Sequence, residues 1–132
     1  MQEKQEKKGS FVGTITRGLG EGAYFISMEH YQNQIMKNLG FKAYPGTLNL
    51  KTSKSQIQSI KTMVPIQIDG FEKKGKRFGG ANCYRASLRD VNGAIIMPHI
   101  SKHKDIIEFI APIHLKSSLS LKDGDKVKVE II

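Results

Sequence analysis

The stretch Tyr44-Pro45-Gly46-Thr47-Leu48-Asn49-Leu50 decides how the chain is organised around its candidate site. Proline restricts its own φ and biases the residue before it towards an extended conformation, and glycine then permits a turn or the close approach of a ligand. The four residues after this turn predict a strand. Because strand side chains alternate between two faces, the two leucines point into a core, whereas Thr47 and Asn49 share the opposite face.

Two interpretations of this polar face are open. A hydroxyl and an amide oxygen are uncharged, hard ligands, and they suit Mg2+ when the phosphates of a substrate supply negative charge. The alternative is a turn followed by an edge strand whose outer face is simply polar. The spacing of Thr47 and Asn49 alone favours this second interpretation.

Composition indicates a folded domain with a basic surface. The chain has 132 residues and a formal net charge of +9, so we expect an anionic partner such as a nucleic acid, a nucleotide or an anionic membrane face. Cys83 is the only cysteine in the sequence, which excludes an intramolecular disulfide and fits the reducing cytoplasm. Residues 1–8 are polar and no apolar run approaches the length of a membrane span, so we expect no signal peptide and, among these partners, no membrane.

A glycine-rich segment follows the first predicted strand, Phe11 to Arg17. Gly18, Gly20 and Gly22 alternate in it, and the backbone N–H groups of such a loop can converge on one point, as in phosphate-binding loops. Neither the P-loop pattern nor the dinucleotide-binding pattern is present, so the alternative is a flexible connection between two strands. The apolar run Tyr24-Phe25-Ile26 is predicted to be buried.

One helix and several short strands are predicted beyond this segment. Residues 29–39 carry apolar side chains at every fourth position and end at Gly40, which predicts a helix with a glycine at its C-terminal end. The segment Ser53–Thr62 fits either a short helix or a loop. Asn92-Gly93 predicts a hairpin turn within residues 90–93. The predicted strands are residues 64–69, 83–88, 94–97, 105–110 and 126–131.

Three further features each allow more than one interpretation. The basic segment Phe71–Gly80 is either a mobile cover over phosphates or a solvated hairpin tip, and for most of its lysines we favour the tip. Glu108 stands between apolar neighbours, so it either faces solvent or is a placed functional group. His99 and His103 have a metal-like spacing, but Pro98 disfavours a helix there and the sequence offers no third ligand beside them, so we expect no zinc site.

Many short strands, little helix and no regular β-α-β alternation predict a mainly β fold, a small barrel with a few short helices. We expect residues 1–9 to form a flexible tail and residues 10–132 to form a single domain. We also expect a monomer.

Several motifs occur in the order found in one known family. They are Gly18-Leu19-Gly20-Glu21-Gly22-Ala23-Tyr24-Phe25, the predicted helix with Tyr31, Leu39-Gly40-Phe41, residues 44–50 (called the opening stretch below), Phe78-Gly79-Gly80 with Cys83-Tyr84, Ile107-Glu108-Phe109-Ile110-Ala111-Pro112, and Asp123-Gly124-Asp125. From about Gly9 to its C-terminus the chain resembles the archaeal CTP-dependent riboflavin kinases. The resemblance implies a six-stranded cradle-loop barrel. It also implies transfer of the γ-phosphate of CTP to the 5′-hydroxyl of riboflavin, which gives FMN and CDP, with Mg2+ as cofactor.

The resemblance further implies a role for each matching residue. Glu108 and Ser101 would contact the flavin, and Glu108 would either accept the proton of the riboflavin hydroxyl or only orient that hydroxyl. Thr47 and Asn49 would hold Mg2+. The nucleotide would be bound by Gly18, Leu19, Gly20, Glu21, Gly22 and Ala23, and by a second segment of Ile113, His114, Leu115 and Lys116.

Two positions depart from the family pattern. The family more often has threonine at residue 101, where Ser101 keeps the hydroxyl. It commonly has arginine at residue 116, where Lys116 keeps the charge but loses the two-pronged donor geometry of a guanidinium.

Two other functions compete with the kinase. A basic nucleic-acid-binding barrel, such as a transcription regulator without catalysis, would explain the net charge. Some relatives carry a winged-helix domain ahead of the barrel, for which we expect this chain to be too short. A flavin-binding protein without catalysis would keep Glu108 and lose the nucleotide segment. The metal-ligand pair Thr47 and Asn49 beside a glycine segment favours the kinase, because nucleic-acid binding needs no such pair.

Overall fold

The computed structural model describes residues 8–18, 21–100 and 105–132, and for Glu21 it describes the backbone alone. Its elements in chain order are β1 (Gly9–Thr16), α1 (Glu21–Ile26), α2 (Glu29–Leu39), β2 (Leu48–Lys51), α3 (Lys54–Lys61), β3 (Ile66–Ile68), β4 (Phe71–Lys73), β5 (Lys76–Phe78), β6 (Ala81–Leu88), β7 (Val91–Pro98), β8 (Ile106–Ile110), α4 (Leu115–Ser118) and β9 (Lys126–Ile131).

Six of these strands close into an antiparallel barrel. Around the barrel the order is β6, β7, β8, β2, β1 and β9, and the pairing of β9 with β6 completes the circle. Strand β3 extends β6 outside the barrel, and β4 pairs with β5 in a separate hairpin. The predicted mainly β fold, a six-stranded barrel with a few short helices, is confirmed.

β1 starts at Gly9, next to the predicted start of the domain at residue 10. The backbone N–H of Lys8 already donates to the carbonyl oxygen of Ile131. Residues 1–7 lie outside the described residues, so the N-terminal tail stays a prediction.

Two apolar clusters lie on the two faces of the barrel wall. Leu48 and Leu50 point inward, as predicted, and pack with Ile107 and Phe109 in the barrel interior. The second cluster lies on the outer face, where the apolar side of α2 covers strands β6, β7 and β8. Alternation along each strand therefore produces one interior core and one covered outer face.

The predicted helix at residues 29–39 is confirmed by α2. Tyr31, Ile35 and Leu39 are its buried residues, and Gly40 ends the helix with a φ of 85°. The ambiguous segment 53–62 contains a helix, α3, and the Ser53 hydroxyl caps it by accepting a hydrogen bond from the backbone N–H of Gln56. Within the described residues, no helix is long and apolar enough to cross a membrane.

The predicted burial of Tyr24-Phe25-Ile26 is wrong for two of its three residues. These residues belong to the short helix α1, on which only one side faces the barrel. Ile26 is buried, but Tyr24 is 54% exposed and Phe25 is 38% exposed. The outward-facing rings leave apolar surface available next to α2.

The hairpin between β6 and β7 turns at Arg89-Asp90, so the turn predicted at Asn92-Gly93 is wrong. Both turn residues have positive φ, 49° and 64°, and Leu88 pairs with Val91. A two-residue connection with two positive φ values has the geometry of a type I′ turn. Asn92-Gly93 lies in strand β7 instead.

Gly93 occupies its position because of packing rather than turn geometry. A Cβ atom there would stand 2.9 Å from the ring of Phe109 and would also collide with the carbonyl oxygen of Ile110. Backbone atoms cannot move aside without disturbing the pairing of β7 with β8. Only glycine therefore fits opposite this part of β8.

We predict that Gly93→Ala lowers the free energy of unfolding by about 1–3 kcal/mol, the usual cost of overpacking a closed core. Gly79→Ala is the matched control, because a Cβ atom at Gly79 meets nothing within 4 Å. Denaturant unfolding of both variants measures the difference. Equal stability of the two variants would contradict the packing explanation.

Candidate functional site

Three polar side chains meet on the outer face of the barrel, where β2 pairs with β8. Asn49 lies directly opposite Glu108 in the strand register, so their side chains are neighbours. Thr47 stands just before β2, and its hydroxyl donates a 2.9 Å hydrogen bond to Oε1 of Glu108. All three residues are half-buried. We call Thr47, Asn49 and Glu108 the polar trio.

Two glycines of the predicted nucleotide segment lie directly over the polar trio. A Cβ atom on Gly18 would stand 2.8 Å from Cγ of Asn49, and one on Gly22 would stand 2.7 Å from Oε1 of Glu108. Any side chain larger than hydrogen would therefore displace the trio or lift the backbone away from it. The absence of side chains at these positions keeps the backbone in contact with all three polar groups.

The segment around these glycines differs from its predicted form. It was expected to be a loop, whereas residues 21–26 form helix α1, so that Gly22 and the exposed Ala23 are helical. Leu19 and Gly20 lie outside the described residues, as does the side chain of Glu21. Ser101, predicted to contact the flavin, also lies outside them.

The predicted second nucleotide segment lies against the turn that begins the opening stretch. The ring of Tyr44 stacks on the imidazole of His114, with centroids 4.8 Å apart and planes 29° apart. The backbone N–H of Tyr44 also donates to the carbonyl oxygen of Ala111 at 2.8 Å. These contacts hold residues 113–116 beside the turn that carries Thr47.

The four residues of this second segment have different surroundings. Leu115 is buried in the barrel core, whereas Ile113 and His114 are exposed. Nζ of Lys116 pairs with the carboxylate of Asp123 at 2.7 Å. The next residue after that carboxylate, Gly124, donates its N–H to the carbonyl oxygen of Ile15 near the end of β1. The segment is thus connected to the strand that leads into Gly18.

Sequence reasoning missed Gln32, which ties α1 to the opening stretch. Its Nε2 donates to the carbonyl oxygens of Ile26 and Ala43, both at 2.8 Å, and its Oε1 accepts from the backbone N–H of Ala43 at 3.1 Å. One amide therefore fixes the end of the glycine-bearing helix relative to the residue that precedes Tyr44. A lone glutamine on a helix gives no sequence signal of this role.

The oxygen ligands of Thr47 and Asn49 suit Mg2+ only when substrate phosphates supply further ligands. No group of three or more His, Cys, Asp or Glu side chains that could hold a metal occurs in residues 8–18, 21–100 and 105–132. The Thr47 hydroxyl donates its hydrogen bond to Glu108, which leaves the lone pairs of its oxygen for a cation. The amide oxygen of Asn49 is a second neutral ligand, and Mg2+ commonly combines few protein ligands with substrate phosphates.

Of the two histidines predicted not to bind zinc, His99 lies within the described residues. Nε2 of His99 lies 3.0 Å from Oδ1 of Asn82 and is hydrogen-bonded to it. His103 lies outside the described residues.

Comparison with known proteins gives the family. A family model named CTP-dep_RFKase, described as a domain of unknown function (DUF120), matches residues 15–131. The chain belongs to this family. The resemblance to archaeal CTP-dependent riboflavin kinases noted from the sequence motifs is thereby confirmed.

Curated proteins similar to the chain support the same family. A protein named "Riboflavin kinase" from Pyrobaculum calidifontis is 42% identical over 124 residues, which cover 91% of this chain and 58% of that protein. Proteins of the same name from Methanococcoides burtonii (42% identical, 96% of this chain, 58% of that protein) and Thermococcus kodakarensis (41% identical, 95% and 60%) are also similar. The chain therefore spans less than two thirds of the length of these relatives.

Proposed function

We propose that the chain carries the catalytic domain of a CTP-dependent riboflavin kinase, which transfers the γ-phosphate of CTP to the 5′-hydroxyl of riboflavin and yields FMN and CDP. The observation that carries this proposal is the closure of Gly18 and Gly22 over the polar trio. The names of the similar proteins support riboflavin as the acceptor. The name of the family model supports CTP as the donor.

The chemistry of phosphoryl transfer suits this site. Such a reaction needs little covalent help from the protein, but it needs in-line positioning and compensation of the charge on the transferring group. Gly18 and Gly22 carry no side chains, so they let phosphates approach the backbone. The segment of Ile113, His114, Leu115 and Lys116, held beside Tyr44, would bind the rest of the nucleotide.

Thr47 and Asn49 are the proposed ligands of Mg2+. When bound there, the metal would offset the negative charge of the phosphates. Thr47 suits this role because its hydroxyl already donates its hydrogen bond to Glu108, so the lone pairs of its oxygen face the cation. Asn49 is held in place because it is paired in register with Glu108 on the neighbouring strand.

Glu108 is the proposed partner of the riboflavin hydroxyl. It lies on the same face as the metal ligands, and its Oε1 atom stands next to Gly22. A carboxylate at this place orients the 5′-hydroxyl by accepting its hydrogen bond, and it can receive the proton as the new P–O bond forms. Ser101 is proposed to contact the flavin as well.

The competing function, a basic barrel that binds nucleic acid, does not explain the polar trio. A phosphate backbone is bound by lysine and arginine side chains. A half-buried carboxylate under a glycine segment would repel phosphates unless a cation lies between them. The kinase accounts for this carboxylate, whereas the nucleic-acid-binding protein does not.

We predict that the purified chain forms FMN from riboflavin with CTP and Mg2+, and does so far faster than with ATP, GTP or UTP. The measurement is chromatography of the flavin products in four parallel reactions. If folded protein yields no FMN with any of the four nucleotides, the proposed function is wrong.

We predict that Asn49→Leu removes most of the activity while leaving the melting temperature close to that of the wild type. Asn49 faces the site rather than the barrel core, and the lost oxygen leaves the transition-state charge less well compensated. Asn92→Leu is the matched control, because Asn92 is exposed on β7.

Turnover and thermal unfolding are measured on the same preparations. Near-normal turnover in Asn49→Leu would contradict the metal-ligand role. A collapsed melting transition would show instead that Asn49 is structural.

A further inference from the structure

The short helix α1 carries Gly22 over the polar trio, and its place there must be set by contacts with the rest of the chain. The helix is six residues long, and isolated helices of that length are not stable in water. A Cβ atom on Gly22 would stand 2.7 Å from Oε1 of Glu108 and 2.9 Å from Cγ2 of Thr47. A small shift of α1 therefore changes the space over the polar trio.

A hydrogen bond from α2 holds the C-terminal end of α1. The last four carbonyl groups of any helix have no partner inside that helix. In α1, the carbonyl oxygens of Ala23 and Tyr24 accept from the N–H and the hydroxyl of Ser27, which directly follows the helix and cannot fix it to another element. The carbonyl oxygen of Ile26 accepts from Nε2 of Gln32 at 2.8 Å. Gln32 therefore joins the end of α1 to the neighbouring helix.

The same amide holds the backbone that leads into the opening stretch. Nε2 of Gln32 also donates to the carbonyl oxygen of Ala43 at 2.8 Å, and Oε1 accepts from the N–H of Ala43 at 3.1 Å. Both hydrogens of the amide nitrogen are thereby used, so a reversed amide would lose these hydrogen bonds. The side chain of Gln32 has one defined orientation, bound to α1 on one side and to buried Ala43 on the other.

The amide of Gln32 thus lies between the two halves of the proposed site. Helix α1 brings the backbone of Gly22, which the donor phosphates would approach. The opening stretch brings Thr47, which is hydrogen-bonded to Glu108, the proposed partner of the acceptor hydroxyl. Phosphoryl transfer requires donor and acceptor in line, and a misplacement of about 1 Å can lower a rate about a hundredfold. The distance between these two halves therefore matters for turnover.

We propose that Gln32 is a positioning residue for phosphoryl transfer, which sets α1 at the distance from the polar trio that aligns donor and acceptor. This inference rests on the proposed function, which supplies the reaction. Gln32 acts through α1 and the opening stretch and touches neither substrate. When its amide is lost, each substrate keeps the contacts on its own side, so the effect falls on kcat rather than on KM.

The test uses two variants of Gln32 and one matched control. Gln32→Met keeps a similar length without the amide. Gln32→Glu keeps the shape and the acceptor for the Ala43 N–H, but it places an oxygen atom against two carbonyl oxygens. The control is Arg85→Met, because the guanidinium of Arg85 also donates to two backbone carbonyl oxygens of α2, those of Asn38 and Leu39, at the C-terminal end of the helix.

Two measurements are made on each full-length variant. Steady-state kinetics below the melting temperature give kcat and the KM values for CTP and riboflavin. Nuclear magnetic resonance without substrates gives the backbone amide signals of Gly22 and Thr47, which report the fit of α1 over the polar trio independently of activity.

We expect both Gln32 variants to lower kcat at least about tenfold, with both KM values within about threefold of the wild type. We expect the amide signals of Gly22 and Thr47 to shift in these two variants. Arg85→Met should keep the kcat and the amide signals of the wild type, because it leaves α1 and Ala43 attached.

Wild-type kcat in a folded Gln32 variant, a loss confined to KM, or an equal loss of kcat in Arg85→Met would overturn the inference. Failure of both Gln32 variants to fold would also overturn it, because Gln32 would then be structural. A wild-type chain that makes no FMN would contradict the proposed function instead. In that case, amide signals that shift only in the Gln32 variants would still support the positioning role, and unshifted signals would overturn it.

Discussion

The candidate site depends on one steric constraint, the contact between a side-chain-free backbone and three polar groups. Neither Gly18 nor Gly22 can carry a Cβ atom without striking Asn49, Thr47 or Glu108. The register of β2 and β8 sets Asn49 opposite Glu108, and the Thr47 hydrogen bond joins the third member. The position of α1, the end of β1 and the opening turn must all be compatible with this contact.

The barrel makes this arrangement possible by separating its two faces. Leu48 and Leu50 occupy the interior, so the polar residues between and before them are directed outward. α2 covers the neighbouring outer surface, and Gln32 on α2 connects α1 to the opening stretch. A layer of helices over an otherwise closed barrel therefore creates a half-buried polar site without opening the core.

Local patterns predicted the parts of this structure that depend on local physics. Alternation located the inward leucines, and the helical period with Gly40 located α2. The prediction of a turn at Asn92-Gly93 failed because Gly93 is required by packing against Phe109 on another strand. The turn is formed instead by Arg89-Asp90, whose residue types have a weak propensity for it. The prediction that Tyr24 is buried failed for a similar reason, since the sequence does not show which side of a short helix meets the barrel.

The polar trio likewise has one part that local sequence patterns predicted and one part that they did not. The shared face of Thr47 and Asn49 followed from strand period alone, but Glu108 joins them only through a register between strands some sixty residues apart, which the ordered family motifs implied and periodicity could not. The hydrogen bonds of Gln32 had no signal of either kind. Pairings between distant segments are set by the whole fold, so they emerge only from the structure.

The measurement that tests the central claim most directly is the anomalous scattering of Mn2+, used in place of Mg2+, in crystals grown with and without a non-hydrolysable CTP analogue. The account predicts a peak beside the Thr47 hydroxyl and the Asn49 amide oxygen when the nucleotide is present, and no peak there without it, because two neutral ligands hold such a cation poorly without phosphate. A nucleotide-dependent peak beside the carboxylates of Asp123 and Asp125, with none at Thr47 and Asn49, would contradict it.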